Sequence, residues 1–157
     1  MPRPAIRVKG YRAFRATRIS LPGHAYLVTT VTQRRERLFA DFATARLAIS
    51  ALNHRETRAG GTLHVWVLMP DHLHMVLQLG EEDGISQAMN RIKSHIGRVV
   101  NRHLARTGAV WQSGFHEHLL RPDEDLKGIA RYVALNPVRA GLVSRAMDYP
   151  HWDALWV

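Results

Sequence analysis

Two apolar runs separated by only two residues lie near the centre of the chain. They span Thr62–Met69 and His72–Leu79, with Pro70 and Asp71 between them. Strand-forming residues on both sides of a Pro-Asp link are typical of neighbouring antiparallel strands joined by a tight turn. The sequence therefore predicts a β-hairpin, around which the other elements must be arranged.

Two further segments predict strands, and a helix is expected between the first strand and the hairpin. Residues 25–32 are rich in β-branched and aromatic side chains, and residues 115–121 form another short run that can extend. After Asp41 the apolar residues recur with a helical period until Gly60, so Asp41 is the expected N-cap and Gly60 the stop signal.

Two more helices are predicted in the second half of the chain. Over Ser86–Arg106 the apolar residues recur every three or four positions, which indicates a long amphipathic helix. A last helix is expected to be capped by Asp123 and to end near Asn136, because Pro137 disfavours helical backbone in the residue before it. The remainder has no sustained period, and we expect it to be mostly irregular.

The predicted order is strand, helix, strand, strand, helix, strand and an extra C-terminal helix. This order is typical of an α+β fold, a ferredoxin-like or RRM-like antiparallel sheet with helices on one face. The opposite face of the sheet is then expected to be open. The chain length of 157 residues suits one such domain.

The basic residues are unevenly distributed. The formal net charge is +9, and nineteen of the 22 Lys and Arg residues are arginine, which suits bidentate phosphate contacts. Residues 1–60 contain 12 basic and 3 acidic residues, so the whole excess lies there. Residues 1–22 contain six basic residues and no acidic one, which predicts a basic N-terminal arm or a solvated tail. The charge favours a polyanionic partner.

The composition also limits the chemistry and the cellular location. The chain has no cysteine, which excludes disulfides, Cys-ligated zinc and thiol catalysis and leaves His, carboxylate and amide groups for a metal. The longest unbroken apolar run, Val65–Met69, is far shorter than a membrane span, and no signal-peptide core is evident. We therefore expect a cytoplasmic protein without a membrane partner.

Two histidines in the second hairpin strand are the first candidate site residues. Side chains alternate along a strand, so His72 and His74 share the face opposite Leu73. Their Cα atoms are expected about 6.5 Å apart, which lets both imidazoles converge on one metal ion. A His-x-His pair on a polar sheet face is also typical of structural or solvated histidines, so further ligands are needed to support a metal site.

The last predicted helix contains a second candidate pair. Tyr132 and Asn136 are i and i+4 neighbours, about 40° apart on a helical wheel. They can therefore present a phenol and an amide together, the phenol as a nucleophile and the amide as a metal ligand. Taken singly, Tyr132 is more typical of a half-buried aromatic residue, and Asn136 before Pro137 is more typical of a helix C-terminal residue.

The segments 70–74, PDHLH, and 131–143, RYVALNPVRAGLV, resemble those of the REP-associated tyrosine transposases. These proteins belong to the His-hydrophobic-His superfamily of single-strand nucleases. The similarity extends from about Tyr26 to the end of the chain and includes Trp111-Gln112 and residues 118–121. It implies a catalytic domain at 23–143 and a C-terminal tail at 144–157.

The resemblance implies a role for each candidate residue. Tyr132 is the expected nucleophile, and His72, His74 and Asn136 are the expected ligands of Mg²⁺ or Mn²⁺. The implied activity is that of a transposase, a metal-dependent single-stranded DNA endonuclease and strand transferase. It would cleave at or near REP-type hairpins through a 5′-phosphotyrosine intermediate. We expect a monomer that is associated with the nucleoid in the bacterial cytoplasm.

Several residues are expected to support this site. Asp71 and His118 are candidates for supporting the metal ligands, whereas His116, in the second His-x-His, is interpreted as incidental. Basic side chains are expected to contact DNA phosphates without reading sequence. These candidate DNA-binding residues are Arg91, Lys93, Arg98, Arg102 and Arg131.

Two other functions remain open at this point. A non-catalytic RRM-like module would stack bases on His64, Trp66 and His72, and it would bind DNA without forming a covalent product. A metal phosphodiesterase that uses water would keep the histidines but make Tyr132 dispensable. The substitution Tyr132→Phe distinguishes the tyrosine mechanism from the water mechanism.

Overall fold

A computed structural model describes residues 23–81 and 83–155, so the predicted arm at residues 1–22 lies outside the described residues. The strands are β1 Ala25–Val31, β2 Thr62–Met69, β3 His72–Gln78, β4 His116–Leu119 and β5 Trp152–Ala154. They form one sheet in the order β4-β1-β3-β2-β5, and every pairing is antiparallel. The predicted hairpin is confirmed, and it supplies the two strands in the middle of the sheet.

Within the described residues, five α-helices accompany the sheet. They are α1 Phe42–Asn53, α2 Arg55–Arg58, α3 Ile85–Leu104, α4 Leu126–Ala134 and α5 Asn136–Arg139. Asp41 caps α1 as predicted and accepts a hydrogen bond from the Thr44 backbone N–H at 2.9 Å. Within residues 23–81 and 83–155, no helix combines the length and the apolar character needed to cross a bilayer.

Helices α1 and α3 cover one face of the sheet. The apolar stripe of α3, including Met89, Ile92 and Ile96, is buried against Met75 and Leu77 of β3 in the larger core cluster. This packing uses the side of the hairpin that faces away from His72 and His74. The prediction of an α+β antiparallel sheet with a helical layer is confirmed.

The sequence predicted that the opposite face of the sheet is open, but the structure shows that a helix covers part of it. Helix α4 packs against β2, β3 and β5, and its Ala130 and Val133 join a second buried cluster with Val65 and Val76. Both surfaces are apolar, so leaving them in water would cost hydrophobic free energy. The β1 side of this face stays half-buried at Leu27.

The start and end of the last helix differ from the prediction. Asp125, not Asp123, is the N-cap of α4 and accepts from Gly128 N at 3.0 Å. The chain first closes a turn in which Glu124 N donates to Arg121 O at 3.0 Å, and this turn delays the helix. Beyond α4, Pro137 does not stop helical structure but occupies the first turn of α5, where its missing N–H costs nothing.

The C-terminal segment is more ordered than predicted. Strand β5 pairs with β2, with Trp152 opposite Val67. The Tyr149 hydroxyl donates to Leu68 O at 2.6 Å, and Leu68 N donates to His151 O at 2.8 Å. The segment therefore adds a fifth strand to the sheet and fastens it through backbone and side-chain hydrogen bonds.

Candidate active site

The structure places His72 and His74 on the same face of β3, as predicted. Val31 of β1 is opposite His72, and Thr29 is opposite His74. Both histidines are half-buried. The alternation that buries the leucine side of β3 in the core therefore brings the two imidazoles together on the face that α4 partly covers.

Asp71 orients the imidazole of His72. Oδ1 of Asp71 lies 2.8 Å from Nδ1 of His72. Burial alone would raise the pKa of Asp71, but the hydrogen bond from His72 and the charges of His72 and Arg35 lower it overall. An ionised carboxylate only accepts, so Nδ1 of His72 donates, and in the neutral imidazole Nε2 then has the lone pair that a metal needs. The expected supporting role of Asp71 therefore has a geometric basis.

His74 has one nitrogen bound and one without a partner. Its Nδ1 lies 2.5 Å from the Thr29 hydroxyl, whereas its Nε2 is buried and has no hydrogen-bond partner within the described ranges. Burial, followed by the charges of His72 and Arg139, lowers the pKa of His74 to about 4. The imidazole is thus neutral near pH 7, and donation from Nδ1–H to Thr29 leaves Nε2 as a free acceptor.

These two nitrogens fit a divalent cation, provided that the remaining ligands come from other groups. In the part of the chain that the structure describes, no cluster of three or more His, Cys, Asp or Glu side chains could hold a metal. Asn136, the first residue of α5, is half-buried and supplies an amide oxygen of the required type. Nε2 of His74 is buried without a hydrogen-bond partner among the described residues, and such a group in a protein interior requires an explanation. A bound metal ion would supply one.

Tyr132 is held by a residue that the sequence analysis did not single out. The Tyr132 side chain is 47% exposed, and Cζ of Arg139 lies 3.7 Å from the centre of its ring. Arg139 also donates from Nη2 to Tyr132 O at 2.6 Å. The charge of the same guanidinium contributes to the low pKa of His74, so Arg139 connects the tyrosine to the histidine pair.

A second tyrosine near the sheet, Tyr149, is unsuited to attack. Tyr149 is buried, and its hydroxyl is bound to Leu68 O. Burial raises the pKa of Tyr149 to about 12, with a smaller opposite effect of Arg37. Of these two phenols, only that of Tyr132 is substantially exposed.

The second His-x-His pair lies on the same sheet face as the first. His118 is opposite Leu27, and its Nε2 lies 2.8 Å from Oε1 of Glu124, so the structure joins His118 to Glu124 and not to His72 or His74. His116, which the sequence analysis interpreted as incidental, is opposite Thr29 and therefore in line with His74. A supporting role for His118 stays a prediction.

The basic residues predicted on the long helix lie on the other side of the sheet from the histidines. Arg91 pairs with Asp83, and Lys93 donates to the Gln112 and Gly114 carbonyls at 2.8 and 2.7 Å. Two further side chains of α3 are exposed, those of Arg98 and Arg102. Arg131 is exposed on α4 directly before Tyr132, so it alone of the five adjoins a candidate site residue in sequence.

The alternative base-stacking surface is not present as predicted. Trp66 is buried in the larger core cluster, on the face of the sheet opposite His72. His64 lies at a break in the register of β2, and its Nε2 is 2.8 Å from Oε1 of Gln78. Trp66 is opposite Met75 of β3, so strand alternation places its ring on the face away from His72.

The fold and the histidine pair define an α+β protein with a candidate metal and tyrosine site. The family model described as "Transposase IS200 like" matches residues 20–136, and the chain belongs to this family. The resemblance found in the sequence motifs is thereby confirmed.

Curated relatives agree with this assignment. A REP-associated tyrosine transposase of Escherichia coli is 30% identical over 89 residues, which is 56% of this chain and 51% of the relative. A Haemophilus influenzae protein named for the same kind of transposase is 33% identical over 94 residues, covering 54% of this chain and 53% of its own length. This chain thus spans about half the length of the curated relatives it matches.

A solved structure has the same fold. It is that of a REP-associated tyrosine transposase bound to a REP hairpin, with a TM-score of 0.69 and 25% identity. The match covers 92% of this chain and 82% of that chain.

Proposed function

We propose that this chain cleaves and transfers single-stranded DNA at or near REP-type hairpins through a covalent bond to Tyr132. The observation that carries the proposal is the state of Nε2 of His74, which is buried and has no hydrogen-bond partner among the described residues. His74 lies on the same face of the sheet as His72. The exposed Tyr132 side chain, held by Arg139, supplies the nucleophile. Family membership supports the reaction class, and the relative bound to a REP hairpin supports the substrate.

The proposed step is an in-line displacement at phosphorus. The Tyr132 phenol loses its proton, and its Oη attacks the scissile phosphate while the bond to the 3′ oxygen breaks. The 5′ phosphate stays attached to Tyr132, and the 3′ oxygen takes up one proton to become a 3′ hydroxyl. The number of phosphodiester bonds is unchanged, so the reverse attack by a 3′ hydroxyl can join strands without ATP.

Arg139 has a direct role in this scheme. Its guanidinium covers one face of the Tyr132 ring and also bonds the backbone of that residue. The cation at the ring face is attracted to the π electrons and reduces the number of orientations that the ring samples. Arg139 would thus orient the Tyr132 ring before DNA binds.

His72 and His74 would hold a divalent cation together with Asn136. Such a cation, when bound, polarises the phosphate and stabilises negative charge on its oxygens. The amide oxygen of Asn136 is a kind of ligand that suits both Mg²⁺ and Mn²⁺, and we propose one of these two ions. Asp71 and Thr29 would keep each imidazole in the required tautomer through their bonds to the two Nδ1 atoms.

The predicted DNA contacts divide by position. Arg131 adjoins Tyr132 and would contact the cleaved strand, whereas Arg98 and Arg102 are exposed on α3 and would engage DNA beyond the cleavage site. Arg91 and Lys93 are held by intramolecular contacts, so their DNA contacts would require those bonds to be exchanged.

A substrate of chromosomal hairpins implies action on the nucleoid in the cytoplasm.

The test uses three proteins and one DNA. Wild type, Tyr132→Phe and Tyr149→Phe are incubated with labelled single-stranded DNA bearing a REP-like hairpin and Mn²⁺, and denaturing gels are run. We expect a protein-DNA adduct from wild type and Tyr149→Phe, loss of that adduct with EDTA, and none from Tyr132→Phe. Cleavage by Tyr132→Phe would indicate water as nucleophile, and binding without any adduct would indicate a non-catalytic module. Either result overturns the proposal.

A further inference from the structure

We propose that residues 33–37, here called the arginine turn, bind the phosphate backbone of single-stranded DNA beside the histidine pair. The inference rests on the proposed function and adds a binding site to it. The arginine turn follows β1, whose last residue, Val31, is opposite His72. The chain therefore leaves the sheet at the end where His72 lies.

The arginine turn is fastened to the residue that orients His72. Thr32 donates its backbone N–H to Asp71 O at 2.9 Å, and its hydroxyl lies 3.1 Å from the same oxygen. Nη1 of Arg35 lies 3.4 Å from Oδ2 of Asp71, whose Oδ1 contacts His72. A group bound by the turn would thus lie next to the proposed cleavage centre.

The backbone of the arginine turn is held in a conformation that arginine rarely adopts. Arg34 and Arg35 have φ angles of +56° and +52°, two consecutive left-handed residues without a glycine. The Thr32 hydroxyl bonds Glu36 O at 2.7 Å, and Gln33 N donates to Val110 O at 2.9 Å, which keeps the turn in place. Retention of strained residues at a site is a reason to look for a function there.

The arginine turn presents positive charge to solvent. All five of its residues are exposed, and three of them are arginine. Its acidic residue, Glu36, is neutralised by Arg106 through two contacts of 3.0 Å. The Arg35 side chain is 67% exposed, and no ion pair or hydrogen bond joins the Arg34 side chain to another group in the described part of the chain.

The residue types in the arginine turn favour contacts with phosphates over contacts with bases. Arginine binds phosphate through two parallel N–H donors, and the turn contains no aromatic side chain on which a base would stack. The contact is therefore expected with phosphates of the strand, independent of base sequence. It would position the strand that runs past His72.

The test measures binding without covalent chemistry. Arg34→Asn with Arg35→Asn removes two cations, and asparagine tolerates left-handed backbone better than arginine, so the variant should melt at or above the wild-type temperature. Arg55→Ala with Arg58→Ala removes the same charge from α2, in the helical layer on the other side of the sheet. Fluorescence anisotropy follows binding of a labelled single-stranded hairpin DNA in EDTA at several salt concentrations.

We expect the arginine-turn variant to reduce the slope of log K against log salt by about 1.4, corresponding to two phosphate contacts on a single strand. Its affinity should fall about tenfold at moderate salt, and the control variant should keep a slope close to that of wild type. An unchanged slope, or an equal loss in both variants, would overturn the inference. Normal binding by wild type without a covalent adduct would instead overturn only the proposed chemistry.

Discussion

The guanidinium of Arg139 lies over the ring of Tyr132, with Cζ 3.7 Å from the ring centre, and Nη2 donates to the backbone oxygen of the same residue at 2.6 Å. One side chain thus contacts both the ring and the backbone of the proposed nucleophile. The two residues are seven positions apart, on consecutive helices that meet at Leu135. The break between α4 and α5 is what lets Arg139 fold back over the ring.

Arg139→Ala should slow covalent adduct formation while leaving DNA binding largely intact. We expect a reduction of about tenfold in the single-turnover rate at saturating DNA, because the ring loses a cation contact and its preferred orientation. Arg139→Lys, which keeps the charge but not the planar stack, should be intermediate. Arg145→Ala, which removes an exposed arginine paired with Asp148, is the control. Equal rates in all four proteins would exclude this role.

Asp71→Asn should weaken metal binding. The amide can no longer serve as an anionic acceptor for Nδ1 of His72, so the ring loses its fixed tautomer and part of its basicity. We expect Mn²⁺ affinity to fall roughly 10- to 100-fold, as calorimetry or Mn²⁺ electron paramagnetic resonance would measure. Asp148→Asn is the surface control. Unchanged affinity for Asp71→Asn would show that Asp71 does not support metal binding.

Tyr149→Phe should affect mainly the free energy of unfolding, and Tyr132→Phe should affect mainly the covalent chemistry. Tyr149→Phe leaves the buried side of β2 without the hydroxyl that donates to Leu68 O, and should lower the free energy of unfolding by about 1–2 kcal/mol. It should still form the covalent adduct. Tyr132→Phe should change stability by less than about 0.5 kcal/mol, since its side chain is exposed. Urea unfolding of the three proteins measures this, and reversed effects would contradict the assignment of the two phenols.

Stability should decrease in mild acid, in part through His151. Burial lowers the pKa of His151 from 6.5 in the folded state, and the charge of Arg46 adds to this. Below 6.5 the unfolded chain therefore binds a proton that the folded chain does not, and the free energy of unfolding falls as pH decreases. Replacing the imidazole by a ring that does not titrate, in His151→Phe, should reduce this fall.

Urea unfolding of wild type and His151→Phe at about pH 7.5 and about pH 5.5 measures the difference. His74 and His95 also have lowered pKa values and titrate in both proteins, so only the difference between the two falls is assigned to His151. An identical decrease in the free energy of unfolding in the two proteins would show that His151 does not contribute to the acid sensitivity.

Local sequence patterns predicted much of the fold. The hairpin and α3 follow from periodicity within one segment, and their observed bounds lie close to the predicted ones. Strand β5 was missed because three residues carry no detectable alternation and depend on pairing with β2, which is distant in sequence. The cap was predicted at Asp123, because this residue fits the capping pattern locally, and only the turn that precedes α4 shows that Asp125 is the N-cap.

The candidate site was predictable where it depended on one strand or one helix. Alternation alone placed His72 and His74 on one face. The contacts of Thr29 with His74 and of Arg139 with Tyr132 were not predicted, because one depends on strand register and the other on the break at Leu135. Arg139 lies within the motif at 131–143, so its position was visible there although its contact was not.

The central claim is that Tyr132 carries the DNA, and peptide mapping of the adduct tests it most directly. Wild-type protein is treated with hairpin DNA and Mn²⁺, the DNA is degraded with nuclease, and the protein is digested with trypsin and analysed by mass spectrometry. We expect the nucleotide mass on the peptide spanning residues 132–139, or 128–139 if the adduct blocks cleavage after Arg131, with Tyr132 as its single tyrosine. A nucleotide on the peptide that contains Tyr149, or on no tyrosine, would contradict the account.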